Sequence, residues 1–242
     1  MHIAMWSGPR NLSTAMMYAF GQRSDCFVWD EPFYSAYLTQ TGIVHPMGEK
    51  VIAAGEPDPD KVIARLRGPV PGGKAHFYQK HMTQHMLPGI DRDWLRDVTN
   101  VFLIRHPARV VASFSAKLED LTLDEIGFRQ QFELYELAKS FGQTPVVIDS
   151  HDIRANPEAA LRGLCMALGL EFDPAMLSWP EGGRAEDGVW APVWYGAVHA
   201  STGFAGAEGP LPALPAKYAG IVEEAMVWYE PMRAVSHEFV NT

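Results

Sequence analysis

The 242-residue chain has no run of lysine or arginine, and its 20 basic residues are outnumbered by 29 acidic ones, for a formal net charge of −9. That balance excludes a general nucleic-acid or anionic-membrane surface, so any anion site has to be local. No window approaches the roughly 18 uninterrupted apolar residues of a membrane span. The opening MHIAMWSGPR also lacks the basic start and apolar stretch of a secretory signal, and a soluble, cytoplasmic protein is expected. Cysteine is scarce: Cys26 and Cys165 each lie in an apolar segment, which predicts two buried free thiols rather than a disulfide. His76, His81 and His85 are close in sequence, yet without HExxH or a cysteine pair they do not read as a metal site. No repeat, linker or low-complexity segment marks a second domain, so one domain over 1–242 is expected.

What is present is an alternation of short apolar runs with helical patterns: HIAMW at 2–6, CFVW at 26–29, HFYQ at 76–79, NVFLI at 100–104 and PVVI at 145–148. Such runs suit strands covered on both faces, as in a parallel sheet. Helix signals lie between them. NPEAALRGLCMALG starts on Asn156 as N-cap with Pro157 at the first helical position and stops at Gly169. Thr122 and Glu125 have capping-box spacing ahead of a helix ending near Gly142, and Pro107 opens another. The pattern predicts an α/β sheet with right-handed crossovers. Residues 42–73 form an insertion with a helix near 61–66, residues 180–216 a long Gly-, Pro- and Trp-rich loop, and a last helix is expected over about 215–238.

Ligands of open α/β sheets bind beyond the carboxyl ends of the strands, so those ends belong together. They read SGPRNLST, DEPFY, KHMTQH, RHPAR and DSHD. The first could hold an oxyanion on the backbone N–H groups of Arg10, Asn11, Leu12, Ser13 and Thr14 at a helix start, with Arg10 adding charge and the two hydroxyls adding donors. An ordinary turn capped by Asn11 is the plainer reading. Arg105 ends the fourth strand and Ser113 follows two helical turns later, a pair able to grip a phosphate.

With these residues together, the chain resembles the sulfotransferases that use 3'-phosphoadenosine 5'-phosphosulfate (PAPS). SGPRNLSTAM is similar to their 5'-phosphosulfate loop, FLIRHPARVVASF to their 3'-phosphate motif, and VVIDSHDIRANPEAALRGLCMALGLEF to a third segment of the family. The chain departs in having Arg10 where the family has lysine, Leu12 where it has glycine and Ser150 where many members have tyrosine. No C-terminal Arg-Lys-Gly segment is evident, and HASTGF at 199–204 is the candidate substitute. The resemblance implies a three-layer α/β sandwich around a central parallel sheet of about five strands, like that of P-loop nucleoside triphosphatases. It also implies metal-independent sulfuryl transfer to a hydroxyl or amine of a small-molecule or carbohydrate acceptor. PAPS would be held by Arg10, Asn11, Leu12, Ser13, Thr14, Arg105 and Ser113.

Sulfuryl transfer needs donors for the leaving phosphate, for which Arg10, Ser13 and Thr14 are candidates, and a base for the acceptor. Glu31 is the candidate base, because WDEPFY is similar to the Glu-Pro-aromatic turn of carbohydrate sulfotransferases. Asp30 and His81 are the alternatives, and Lys80 could neutralise the transferring oxygens. Trp29, Phe33, Tyr34, Tyr37, Trp190, Trp194 and Tyr195 are available to line an acceptor pocket or the core. Two rival functions remain: a nucleoside-triphosphate kinase or hydrolase, although GxxxxGK[ST] is absent, and a non-catalytic nucleotide-binding protein.

Overall fold

The apolar runs pair as five parallel strands: β1 His2–Ser7, β2 Cys26–Asp30, β3 His76–Met82, β4 Thr99–Ile104 and β5 Val146–Asp149. Their order is β2-β3-β1-β4-β5, which puts β1 in the middle with β3 and β4 as neighbours. This computed structural model describes residues 1–116 and 121–237.

Alternate residues of each strand feed two separate cores, as the pleat requires. Ile3, Met5, Tyr78, Val101, Leu103 and Ile148 face one side. There they meet α1 (Ser13–Phe20), α2 (Tyr34–Thr41) and Val51 of α3 (Gly48–Ala54). Ala4, Trp6, Phe102, Ile104 and Val147 face the other, against α4 (Pro59–Leu66) and α5 (Pro107–Ser115). The second core also takes α6 (Leu123–Ile126) and α7 (Phe128–Ser140), and the first takes α8 (Ser150–Ala155) and α9 (Pro157–Ala167). The result is the three-layer sandwich expected from the sequence.

Several boundaries differ from the sequence expectation for local reasons. The helix expected over 122–142 is broken at Gly127, whose φ of 72° suits glycine; α6 keeps the capping box of Thr122 and Glu125, and α7 restarts after it. The insertion at 42–73 holds two short helices, α3 and α4, rather than one. The segment 180–216 is not all loop: α10 (Ala191–Trp194) and α11 (Gly196–His199) fold within it. The last helix, α12, spans Ala219–Ala234 and contains Pro231, and the expected end at Glu238 lies outside the described residues. Cys26 and Cys165 are buried free thiols.

Two buried amides hold the carboxyl edge of the sheet. Strand carbonyls beyond the last ladder bond need partners when buried. Gln131 of α7 donates from Nε2 to Leu103 O at 2.8 Å and to Trp6 O at 3.3 Å, and Asn11 donates from Nδ2 to Leu103 O at 3.2 Å. These bonds fix the loop after β1 against the end of β4. Gly8 lies so close to α6 that a Cβ there would stand 2.5 Å from Ile126 O, so the loop has room only for glycine. Gln131→Met, which keeps the volume but removes the donor, is expected to cost about 1–3 kcal/mol in urea unfolding.

Candidate active site

The loop after β1 turns into α1 through two non-glycine residues in the left-handed region, Arg10 at φ 64° and Leu12 at φ 72°. Such conformations store strain and cluster at functional turns. Leu12 takes the N-cap position of α1 without a side-chain cap, so Asn11 does not cap the helix. None of the N–H groups of Arg10 to Thr14 donates to a backbone oxygen among the described residues. Those free donors and the positive end of α1 face a cavity of about 240 Å³.

The cavity joins the ends of β1, β3 and β4 and the turn after β2. Arg10, Asn11, Leu12, Ser13, Thr14, Glu31, Lys80, Arg105 and Ser113 all line it. His81 does not: the pleat that turns Lys80 and Met82 toward the cavity sends His81 to the opposite face, where it stacks on Trp6 at 4.4 Å. Burial, with a smaller contribution from Lys80, pushes its pKa down to about 3, so it is a neutral core ring and a poor base. His81 therefore belongs to the core beside Trp6 and not to the cavity, contrary to the sequence expectation. His76 lies apart at the other end of β3, 3.5 Å from Asp25. Among the described residues no cluster of His, Cys, Asp and Glu has the makings of a metal site.

One wall of the cavity is a buried charge cluster. Lys80 Nζ donates to Asp30 Oδ1 at 2.9 Å, Glu31 Oε1 at 2.5 Å and the Tyr195 hydroxyl at 2.8 Å, which uses all three of its donors. Tyr195 in turn donates to the Asp30 carboxylate and receives a bond from Trp190 Nε1 at 2.9 Å. Asp30 Oδ2 also accepts from Gly188 N at 3.1 Å, tying the 180–216 segment to β2. Burial alone would lower Lys80, but Asp30 and Glu31 outweigh it and raise it. Burial raises Glu31, and Asp30 reinforces the rise against the attraction of Lys80. One ammonium thus serves two carboxylates. Glu31 has φ 40°, held by Glu31 N donating to Lys80 O and Tyr34 N donating to Glu31 O, each at 3.0 Å.

The opposite wall is cationic. Arg10 Nε donates to Ser113 Oγ at 2.8 Å and Arg105 donates to Arg10 O at 2.7 Å, so the first loop and the Arg105–Ser113 pair are physically joined. Burial and then the charge of Arg105 lower the pKa of Arg10. Arg105, Arg109 and Arg154 all pair with Glu208, from the 180–216 segment. No sequence pattern pointed to Arg109, Arg154 or Glu208.

The aromatic candidates divide. Tyr34, Trp194 and Tyr195 line the cavity, joined by His85, noted in the sequence only for its closeness to His81, and by His45, which the sequence did not single out. Tyr37 backs His85 in a stack at 4.7 Å and Trp190 backs Tyr195. Phe33 packs into the second core, and Trp29 lies under Arg65 and beside Phe77. Asp149 is occupied by the Tyr229 hydroxyl at 2.7 Å, and Ser150 is fully buried, with its Oγ unpartnered among the described residues.

Residues 1–236 match the family model described as Sulfotransferase domain. Two Arabidopsis thaliana relatives, branched-chain-amino-acid aminotransferase-like proteins 2 and 1, are 34% and 35% identical over 96% of the chain. The chain spans 41% of the length of each. Among solved structures, the sulfotransferase domain from the curacin biosynthetic pathway superposes with a TM-score of 0.54 at 16% identity, over 93% of this chain and 95% of that one. That likeness bears out the fold. No helix of the described residues is long and apolar enough to cross a membrane.

Lys80→Met would leave two buried carboxylates without their cation, and is expected to cost about 3–5 kcal/mol in chemical denaturation. A loss below about 1 kcal/mol would mean that the cluster is not the anchor its geometry describes.

Proposed function

Because the chain belongs to the sulfotransferase-domain family, we propose that its cavity moves a sulfuryl group from PAPS to a hydroxyl or amine of a small-molecule or carbohydrate acceptor, with Glu31 as the base. Membership of the family implies a sulfate donor and an acceptor. The choice of PAPS rests on the meeting, in one cavity, of free N–H donors at the start of α1, the Arg105–Ser113 pair and the Glu31–Lys80 cluster. The cofactor's fit is supported by the cationic wall, which already surrounds a carboxylate, that of Glu208.

The division of labour follows from the two walls. The N–H groups of Ser13 and Thr14 and the cationic Arg10 meet the phosphosulfate, where negative charge grows on the bridging oxygen as it leaves. Arg105 and Ser113 hold the 3'-phosphate. Lys80, with its donors already committed, acts as a positioning residue: it fixes Glu31 through Oε1 and favours its ionised form, leaving Oε2 for the acceptor. Glu31 takes the acceptor's proton as the new sulfur–oxygen or sulfur–nitrogen bond forms and the bond to the 5'-phosphate oxygen breaks. Adenosine 3',5'-bisphosphate departs as product. Met82, Tyr34, His45 and Trp194 border the space in front of Glu31 and give the acceptor a largely aromatic surround.

Calorimetry should find adenosine 3',5'-bisphosphate binding without added metal, weakened at least tenfold by Arg105→Ala; preference for magnesium-ATP would sink the reading. In a labelled sulfate transfer assay Glu31→Gln should lower kcat about 10²–10⁴-fold while bisphosphate affinity stays within about twofold. A base must be ionised, so kcat should fall as pH drops through the raised pKa of Glu31, and that acid limb should lie above the ordinary glutamate range. If the limb persists unchanged in Glu31→Gln, Asp30 takes over the role.

A further inference from the structure

Glu208 is an acidic residue with its side chain 1% exposed, sealed among guanidinium groups. Arg105 reaches it through Nε, 3.1 Å from Oε1, and through a second, shorter contact from Nη2. Arg154 Nη1 stands 3.1 Å from Oε1 and Arg109 Nε 3.0 Å from Oε2. Burial by itself would raise this carboxyl, yet the arginines prevail and hold it below the usual range. Arg10 stands next to Arg105, close enough for the two charges to repel. A single carboxylate therefore faces three direct cationic partners and a fourth nearby. It leaves the pocket with excess positive charge and offers two oxygens where a phosphate monoester dianion offers three and twice the charge.

The segment that carries Glu208 is held in an unusual way. Phe204 is anchored at one end by an edge contact with Trp179 at 5.2 Å, and Leu214 is anchored at the other in the second core. Between them no backbone–backbone hydrogen bond is made among the described residues, and most of the positions are exposed. Besides the carboxylate, the polar ties of this stretch among the described residues are again to the arginines: Arg154 donates to Gly206 O at 2.9 Å and Arg109 donates to Gly209 O. The arginine cluster is thus both the anion site and the clasp of the segment that fills it.

We infer that Arg105, Arg109 and Arg154 form a phosphate subsite whose occupant in the free protein is the chain's own Glu208, and that the donor's 3'-phosphate binds by displacing Glu208 and lifting residues 205–211. Resting on the PAPS reading, this adds two phosphate contacts, Arg109 and Arg154, and an internal competitor. Apparent affinity is the intrinsic affinity divided by the fraction of molecules with the subsite open. Removing the competing charge then tightens binding without adding a contact.

The test compares adenosine 3',5'-bisphosphate with adenosine 5'-monophosphate, which lacks the 3'-phosphate, in the wild type and Glu208→Gln. Calorimetry should show bisphosphate bound at least tenfold more tightly by Glu208→Gln, with affinity for the monophosphate changed less than twofold. In the wild type, saturating bisphosphate should speed cleavage of the Glu208–Gly209 bond by a glutamate-specific protease, followed by mass spectrometry, while monophosphate should not. That second measurement needs no variant to fold. Equal bisphosphate affinity in the two proteins, or unchanged or slower cleavage, overturns the displacement and leaves the donor reading standing. Failure of both proteins to bind bisphosphate overturns both.

Discussion

The β2–β3 side of the sheet's carboxyl edge, and the chain drawn over it, depend on a buried ammonium group. Lys80 is 1% exposed, and a charge so placed is tolerated only when it is matched by opposite charge and fully hydrogen-bonded. Asp30 and Glu31, at the end of the neighbouring strand, provide the charge, and Tyr195 provides the third acceptor. Because those partners come from separate parts of the chain, satisfying one cation aligns β2 with β3 and draws the 188–195 region over the sheet. The same cluster sets the electrostatics of the cavity wall: burial, reinforced by Asp30, raises the pKa of Glu31 against the attraction of Lys80.

Across the cavity the imbalance is reversed. Arg105, Arg109 and Arg154 gather around one glutamate, with Arg10 beside Arg105, in a protein whose formal charge is −9. A global excess of acid is compatible with a strongly cationic pocket, because the two operate over different distances: screening erases the mean field beyond about 10 Å, whereas partly buried contacts at 3 Å persist. The two walls therefore differ in kind: one gathers arginines around a carboxylate, and the other buries a lysine between two carboxylates.

Much of this was legible in the sequence because it is local. The strands show as apolar runs, and the loop after β1 and the Arg105–Ser113 spacing follow from elements contiguous in the chain. Strand alternation could have separated Lys80 from His81 as well; adjacent residues in an extended strand point to opposite faces, so both could not serve one cavity. The gathering of Glu208 with Arg105, about a hundred residues apart, had no signal in spacing, since a coil segment carries no periodicity to fix where its side chains fall. Tyr195 was visible only as one of several aromatics. The turn at 10–12 was readable as a possible anion loop, but not its strain, because Arg and Leu are poor predictors of left-handed backbone.

The opposed environments of Lys80 and His81 also bear on how the chain reaches its fold. Parallel strands made largely of apolar residues tolerate sliding, since most one-residue shifts exchange one hydrophobic contact for another. In β3 such a shift would drive an ammonium group against Trp6, Trp94 and Phe33, the rings that now enclose a neutral imidazole, and would strand two carboxylates at the end of β2. The buried ion cluster of Asp30, Glu31 and Lys80 therefore also specifies the register of β2 on β3, because a misaligned sheet would leave its charges buried and unpaired.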